Sequence, residues 1–472
     1  MDDYRVIADE IAASIAEGRL RPGEQLPTQR AFARRRGIAG STAGRVYRDL
    51  VRRGLVVGEV GRGTFVRAGH GTPGARVPLA EPAGAQVDLE LNYPVVPEQS
   101  ALLVTGLAPM LRADALDAAL RPVGATGTAA AREACAVLAS GPGGTGRDSS
   151  DRGDAGYGPA WRAAADDVLF AANGRQAIAA ALAALVAPGQ RLGVEALTYP
   201  VVKAIARRLG ITLVPLPVDE SGLLPDALAA VHRATPLRAL YLQPRLQNPL
   251  GATLAPERRE ALVAELRRLD LPVVEDAIWS FLRPGIPPLA ALAPERSILV
   301  DSLSKRLAPG LTTGFAVVPA ALRASVTAAL HSGGWTPSGF ALEAAVRWIA
   351  DGTLSRVEAA KRADATERQL LARHHLAGRT LRSDPCSYYV WWELPAAWRA
   401  ETFVAAAARE GIAVTPGAAF AVDPRTTPSA VRVGLASPPL PVLAEALDTL
   451  ARVARSAPED LLDPTVARPP QG

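Results

Sequence analysis

The chain has 472 residues, 49% of them hydrophobic and 21% charged, with Lys+Arg exceeding Asp+Glu by five. That length exceeds one ordinary core and predicts two or three domains with enough apolar content to bury each. The first residues lack a basic stretch followed by an apolar run, and the uncharged stretch between Arg175 and Arg191 is broken by Gln176 and Pro188; secretion and membrane spanning are not expected, and a cytoplasmic location is.

Two cysteines far apart, Cys135 and Cys386, supply no disulfide framework, and the pair His374 and His375 reads as a helix end, so no metal site is expected. The charge is unevenly placed. Residues 1 to 75 carry 13 arginines and 8 acids, while the remainder balances at 39 basic and 39 acidic side chains. A basic module on a neutral body implies that the module meets a polyanion.

Ile7, Ile11 and Ile15 fall at helical spacing, followed by a Pro22, Gly23 turn. A second helix is predicted from the N-cap Thr28 to Arg36 with Gly37 as its stop, and a third from Ser41, burying Val46, Tyr47, Leu50 and Val51. Two short β-prone runs then flank Gly61, Arg62 and Gly63. Three helices and a hairpin make a winged helix-turn-helix over residues 1–67.

In such a module Ser41, Thr42 and Arg45 sit where a recognition helix meets bases and phosphates, and Arg30, Arg62, Gly63 and Thr64 are placed to grip the backbone of DNA. A solvated face on a structural helical domain would carry similar charges. The residues Gly18, Leu20, Pro22, Gly23, Leu26, Pro27, Arg30, Ala33, Ser41, Thr42, Tyr47, Leu50 and Gly54, with the run from Gly61 to Val66, resemble the DNA-binding domain of GntR-type bacterial regulators. The resemblance implies a dimer on double-stranded operator half-sites.

Residues 68–85 are rich in Gly, Pro and Ala and read as a linker, and residues 140–156 read as a low-complexity insertion. From Asp167 strands and helices alternate: VLFAANG, RLGVEALTY, ITLVPL, ALYLQP, PVVEDA, SILVDS and GFAVVP are the strands. This predicts an α/β sheet whose chemistry gathers at the carboxyl ends of its strands. The large part is expected over residues 86–335, a smaller α+β part over 336–460, and a tail over 461–472.

Lys305, in DSLSKRLAPGLTTG, is one of three lysines in a chain that otherwise uses arginine. A surface lysine is the ordinary reading. An amine that forms a Schiff base is the other, because a guanidinium does not give up its proton near neutrality. The companions of a pyridoxal phosphate site occur at other strand ends. They are Asp276 in VVEDAIWSFL for the ring nitrogen, Asn248 in YLQPRLQNPLGATL for the ring oxygen, and Tyr199 in VEALTYP for the ring face. Gly174, Arg175 and Gln176 in NGRQAI, with Ser302 and Ser304, suit the phosphate. A helix-capping aspartate and a core tyrosine are the alternatives for Asp276 and Tyr199.

This set, in this order, resembles the fold type I, class I/II aminotransferases, and with the GntR-type head it resembles the MocR subfamily. LNYPVVPEQ and GIAVTPGAAF extend the likeness over residues 87–450. It implies pyridoxal 5'-phosphate on Lys305, an amino acid or amine effector whose carboxylate meets Arg432, and a head-to-tail homodimer. Arg432 also reads as a salt-bridged strand residue. The chain departs from the family at Thr312, where an arginine is usual and Arg306 is the candidate replacement, at Trp279 in place of a tyrosine, and near Arg121, where a tyrosine is absent. The implied function is a transcription regulator that senses the cofactor or an amine on it, the alternative being an active aminotransferase with an accessory head.

Overall fold

The computed structural model describes residues 4–16, 19–20, 23–53, 55–59, 63–66, 84–141, 161–311 and 313–456. Arg62, Thr312, nearly all of the expected linker, most of the low-complexity insertion and the tail lie outside them. The chain divides into two compact units. One comprises Met1–Asn92, Leu370–Arg382 and Tyr389–Gly472, the other Tyr93–Gln369 and Ser383–Tyr388.

In the first unit the head has helices Tyr4–Ala16, Gln29–Arg36 and Gly40–Arg52. Thr28 Oγ1 accepts from the backbone of Ala31, and Gly37 ends the second helix at φ 64°, a left-handed cap that suits glycine. The third helix starts at Gly40 after Ala39, one residue earlier than expected, so Ser41 lies inside its first turn. Val56–Glu59 and Gly63–Val66 form the hairpin, and a strand the sequence did not suggest, Gln25–Leu26, pairs with the latter. Ile7, Ile11, Val46, Leu50 and Val66 close a small core, with Phe32 edge-on to Tyr47 at 5.5 Å. Tyr47 is fixed by donating to the Pro27 carbonyl at 2.5 Å.

The rest of this unit is a four-stranded sheet in the order Thr380–Arg382, Tyr389–Glu393, Ala430–Gly434, Thr415–Pro416, all neighbours antiparallel. Its core gathers Trp392 and Val431 from the sheet, Phe403, Leu443 and Leu447 from helices Ala400–Arg409 and Leu440–Arg455, and Trp398 from the loop before the first of these helices. Val87–Asp88 pairs with Ile412–Ala413, which brings the segment before Asn92 into this unit rather than the large one.

The second unit holds a seven-stranded sheet in the order Val168–Ala171, Gly314–Val317, Ser297–Ser302, Val273–Asp276, Ala239–Leu242, Arg191–Glu195, Thr212–Leu216. Only Gly314–Val317 runs antiparallel to its neighbours. The central strands are buried along their length, as a sheet covered on both faces requires. The expected boundary after residue 335 differs from the division seen. Helix Gly339–Ala350 stays with this unit because Leu342 joins Phe170 and Leu299 in one core while Ala344, Ala345 and Trp348 join Leu103 and Met110 in another. The second unit therefore continues into the long helix Thr353–His375, as far as Gln369. Among the described residues no helix is long and apolar enough to cross a membrane, and no group of three or more His, Cys, Asp or Glu could hold a metal ion.

Candidate functional site

Parallel strands deliver their carboxyl ends to one edge of a sheet, and the polar residues predicted for the site stand there. Val273–Asp276 lies beside Ser297–Ser302 with Asp276 in register with Val300. Asp276 is 4% exposed. Its Oδ2 accepts from the Tyr241 hydroxyl at 2.6 Å and from Gln243 Nε2 at 2.9 Å, and its Oδ1 accepts from the backbone of Ile278 at 3.1 Å. Burial pushes its carboxyl up to about 6 in spite of those donors. A carboxylate so held, on a strand end and away from water, calls for a cationic partner.

The strand Ser297–Ser302 runs into the single helical turn Leu303–Arg306, which carries Lys305. Ser302 Oγ caps that turn by accepting from the backbone of Ser304 at 3.1 Å, and the two serine hydroxyls lie 3.1 Å apart. The Lys305 ammonium lies 4.7 Å from the ring centre of Tyr93 and 5.4 Å from that of Trp279. Trp279 is itself packed at 6.4 Å on Phe281 and 6.1 Å from Tyr388.

Ser302 also meets the helix Gly174–Leu185, whose first turn is capped by Asn173 Oδ1 accepting from Gln176 N at 3.0 Å. A Cβ on Gly174 would stand 3.0 Å from that of Ser302, and one on Gly314 would stand 2.2 Å from the carbonyl carbon of Asn173. These two glycines let the helix start press onto the lysine strand. Gln176 Oε1 is buried without a hydrogen-bond partner among the described residues. Gly174, Arg175 and Gln176 thus open a helix against Ser302 and Ser304, an arrangement of amides and hydroxyls suited to an anionic group.

Two further predicted residues lie on loops at this edge. Asn248 is 4% exposed, is joined to Pro249 by a cis peptide, and donates its backbone N–H to Gln243 Oε1 at 3.2 Å. Tyr199 directly precedes the helix Pro200–Arg208. Gln243 was not anticipated, yet it ties three strand ends together: its backbone N–H donates to Glu195 Oε2 at 3.3 Å, its amide to Asp276, and its oxygen accepts from Asn248. Glu195 was also missed, and burial, reinforced by the Asp276 charge, pushes its carboxyl up to about 8.

Arg306 stands elsewhere than expected. Its Nε and Nη2 donate to Asp301 Oδ2 at 3.0 and 2.6 Å, Nη1 pairs with Glu358, and Nη2 also reaches Ser280 Oγ at 3.2 Å. With its guanidinium 6% exposed and spent on two carboxylates, it is an internal ion pair rather than a phosphate ligand. The signal was in the sequence: Asp301 is an acid at the end of an otherwise apolar strand, five residues before an arginine.

Arg432 belongs to the other unit. It lies in Ala430–Gly434, is 3% exposed, donates through Nη2 to the Glu90 carbonyl, and sits 5.8 and 5.7 Å from the rings of Tyr389 and Phe420. In the head, Arg30, Ser41 and Arg45 are exposed and Thr42 half-buried. Gly63 adopts φ 125°, and Thr64 follows it in the hairpin.

Comparison with known proteins matches residues 158–450 to the model of aminotransferase class I and II, and residues 3–66 to that of bacterial regulatory proteins, gntR family. The chain is 28% identical over 438 residues to the HTH-type transcriptional regulator YdeF of Bacillus subtilis, covering 92% of this chain and 90% of that one. It is 29% identical over 372 residues to the HTH-type pyridoxine biosynthesis transcriptional regulator PdxR of Corynebacterium glutamicum, covering 74% and 73%. Among solved structures, an archaeal alanine:glyoxylate aminotransferase superimposes with TM-score 0.69 at 21% identity, over 78% of this chain and 90% of its own. The α-aminoadipate aminotransferase LysN of Thermus thermophilus gives 0.66 at 24%, over 78% and 92%. At those identities the structural likeness establishes the fold.

Proposed function

The chain belongs to the class I and II aminotransferase family, with a gntR-family module at its start, and from that premise we propose that it is a transcription regulator in which the aminotransferase-like body binds pyridoxal 5'-phosphate and senses an amino compound through it. The observation that carries this reading is the buried Asp276, held by Tyr241 and Gln243 on the strand adjoining the one that leads into Lys305.

The residues present fit the cofactor. The amide-bearing start of the helix Gly174–Leu185, pressed close to Ser302 at Gly174, and the adjoining Ser302 and Ser304 hydroxyls make a cradle of donors for a phosphate. In this reading Lys305 holds the cofactor's carbonyl carbon, Asp276 its ring nitrogen, Asn248 its ring oxygen and Tyr199 its ring face. Gly174, Arg175, Gln176, Ser302 and Ser304 take the phosphate end. When bound, pyridoxal phosphate supplies an aldehyde that exchanges one amine for another.

The chain's own residues do the rest. Tyr241 and Gln243 aim the Asp276 carboxylate, and Trp279 and Tyr93 wall the lysine. An amino compound would be sensed by competing with Lys305 for the cofactor, and Arg432 is the residue proposed for the carboxylate of an amino acid. Regulation follows when two conformations of the body bind that species with different affinity, which shifts their populations. The exposed Arg30, Ser41 and Arg45 would engage an operator duplex, a head-to-tail homodimer presenting two heads to two half-sites.

The test is spectroscopic. Adding pyridoxal phosphate to the purified chain should raise the absorbance of a lysine-bound cofactor, and Lys305→Ala should abolish it. A colourless wild type would overturn the reading. An amino donor that shifts the band once supports a sensor, whereas continuous keto-acid production makes the protein an enzyme.

A further inference from the structure

Lys361 is the most deeply buried lysine of the three, fully shielded within the helix Thr353–His375. Its Nζ donates to the carbonyl of Lys305 at 2.9 Å and to the carbonyl of Leu307. We propose that Lys361 is a positioning residue for Lys305, fixing the backbone on which the cofactor-binding amine is carried. This rests on the reading of Lys305 given above.

The turn Leu303–Arg306 is a single turn of helix, so its last carbonyls have no partners within it. Buried carbonyls of that kind need donors. Lys361 supplies them from a different element, and Gln99 Nε2 adds a second donor to the Leu307 carbonyl at 3.3 Å. The same helix reaches the turn again through Glu358, which holds Arg306 from one side while Asp301 holds it from the other. Residues 305, 306 and 307 are therefore each gripped by a side chain of Thr353–His375.

The grip continues behind Lys361. Tyr388 donates its hydroxyl to the Lys361 carbonyl at 2.7 Å and is 2.9 Å from Asp364 Oδ2, and its ring lies 6.1 Å from that of Trp279. A chain of direct contacts thus runs from Trp279, beside the Lys305 amine, through Tyr388 to Lys361 and back to the Lys305 carbonyl. Since the carbonyl of Lys305 adjoins its Cα, fixing that oxygen fixes the direction in which the side chain leaves the backbone. A neutral amine keeps two N–H groups, so both carbonyls retain their donor in either protonation state of Lys361.

The experiment uses the full chain with pyridoxal phosphate as the probe. Lys361→Met keeps the length and removes the donors, whereas Lys361→Arg keeps donors and charge. The Met variant should bind the cofactor about tenfold or more weakly and shift the pH midpoint of the cofactor's absorbance band, and the Arg variant should recover most of both. A folded Lys361→Met with wild-type affinity and band overturns the proposal, as does one whose only change is a lower Tm. If Lys361→Met does not fold, Lys361→Gln is read instead: its shorter amide cannot hold both carbonyls, so cofactor binding should weaken in the same direction, and a folded variant with wild-type affinity and band overturns the proposal. A wild type that never forms the band removes the reading of Lys305 itself, which separates the two failures.

Discussion

The Tyr241 hydroxyl and the Gln243 amide converge on one oxygen of Asp276, leaving its other oxygen to a single backbone N–H. Two donors on Oδ2 fix the carboxylate plane as well as its charge. Tyr241→Phe, which removes one neutral donor, should weaken pyridoxal phosphate binding by about three- to tenfold. Asp276→Asn removes the charge, and the loss should exceed tenfold because the hydrogen bond to a ring nitrogen is then no longer charge-assisted. Titrations followed by cofactor absorbance measure both, and equal affinity in all three proteins counts against Asp276 as the ring partner.

Glu195 gives a pH-dependent prediction. Its folded-state carboxyl titrates at about 8 against an ordinary 4.5, chiefly through burial, and Asp276 is raised in the same direction to about 6. Between those limits the folded chain binds more protons than the unfolded chain, so stability falls as pH rises from about 4.5 to about 8. Glu195→Gln removes the Glu195 share of that dependence and leaves that of Asp276. Its advantage over the wild type in cofactor-free protein should grow by ~2 kcal/mol or more between pH 5 and pH 8. Thermal melts at the two values measure it, and a constant difference would mean that Glu195 is ionised throughout.

Much of this arrangement was legible before any coordinates. The alternation of apolar strands with helices placed Lys305, Asp276 and the NGRQAI turn at strand ends, because parallel strands leave their polar residues where the chain exits the sheet. The cap at Thr28 and the stop at Gly37 were readable because capping is local chemistry. Gln243, Glu195 and Lys361 were not readable. Their roles depend on which strands and helices become neighbours, as when Lys361 meets Lys305 across 56 positions of sequence. Arg306 misled only in part for that reason: its partner Glu358 arrives from a distant helix, but Asp301, five residues before it, was in view.

Gly314 tests the packing of that edge. It lies on the antiparallel strand between Val168–Ala171 and Ser297–Ser302, and a Cβ there would stand 2.2 Å from the Asn173 carbonyl carbon and 2.7 Å from the Gly174 nitrogen. Both neighbours are backbone and cannot swing away. Gly314→Ala should therefore push the start of helix Gly174–Leu185 outward, costing about 1–3 kcal/mol and weakening phosphate binding more than the exposed substitution Gly310→Ala, whose Cβ meets nothing within 4 Å. Denaturant midpoints and inorganic phosphate competition against the cofactor check the two effects. Loss of stability with unaltered competition would place the strain away from the anion cradle.

The head makes an electrostatic prediction that is independent of the cofactor. Arg45 projects from the third helix beside exposed Arg48, while Asp49, one position further, is buried and paired with Arg53 at 2.5 Å. The exposed face is thus left cationic, and the acid on the same helix is neutralised internally. Each arginine that meets a phosphate releases about 0.9 of a counterion from duplex DNA. Operator affinity should therefore fall steeply with salt, and Arg45→Ala should lower both the affinity and the slope of log K against log salt by about one unit. If Arg45 reads a base edge instead, the substitution costs about 1–3 kcal/mol and relaxes specificity at one position while leaving the slope in place. Fluorescence anisotropy on the operator at several salt concentrations distinguishes the two. A variant that matches the wild type in affinity and slope would show that the recognition helix does not use Arg45.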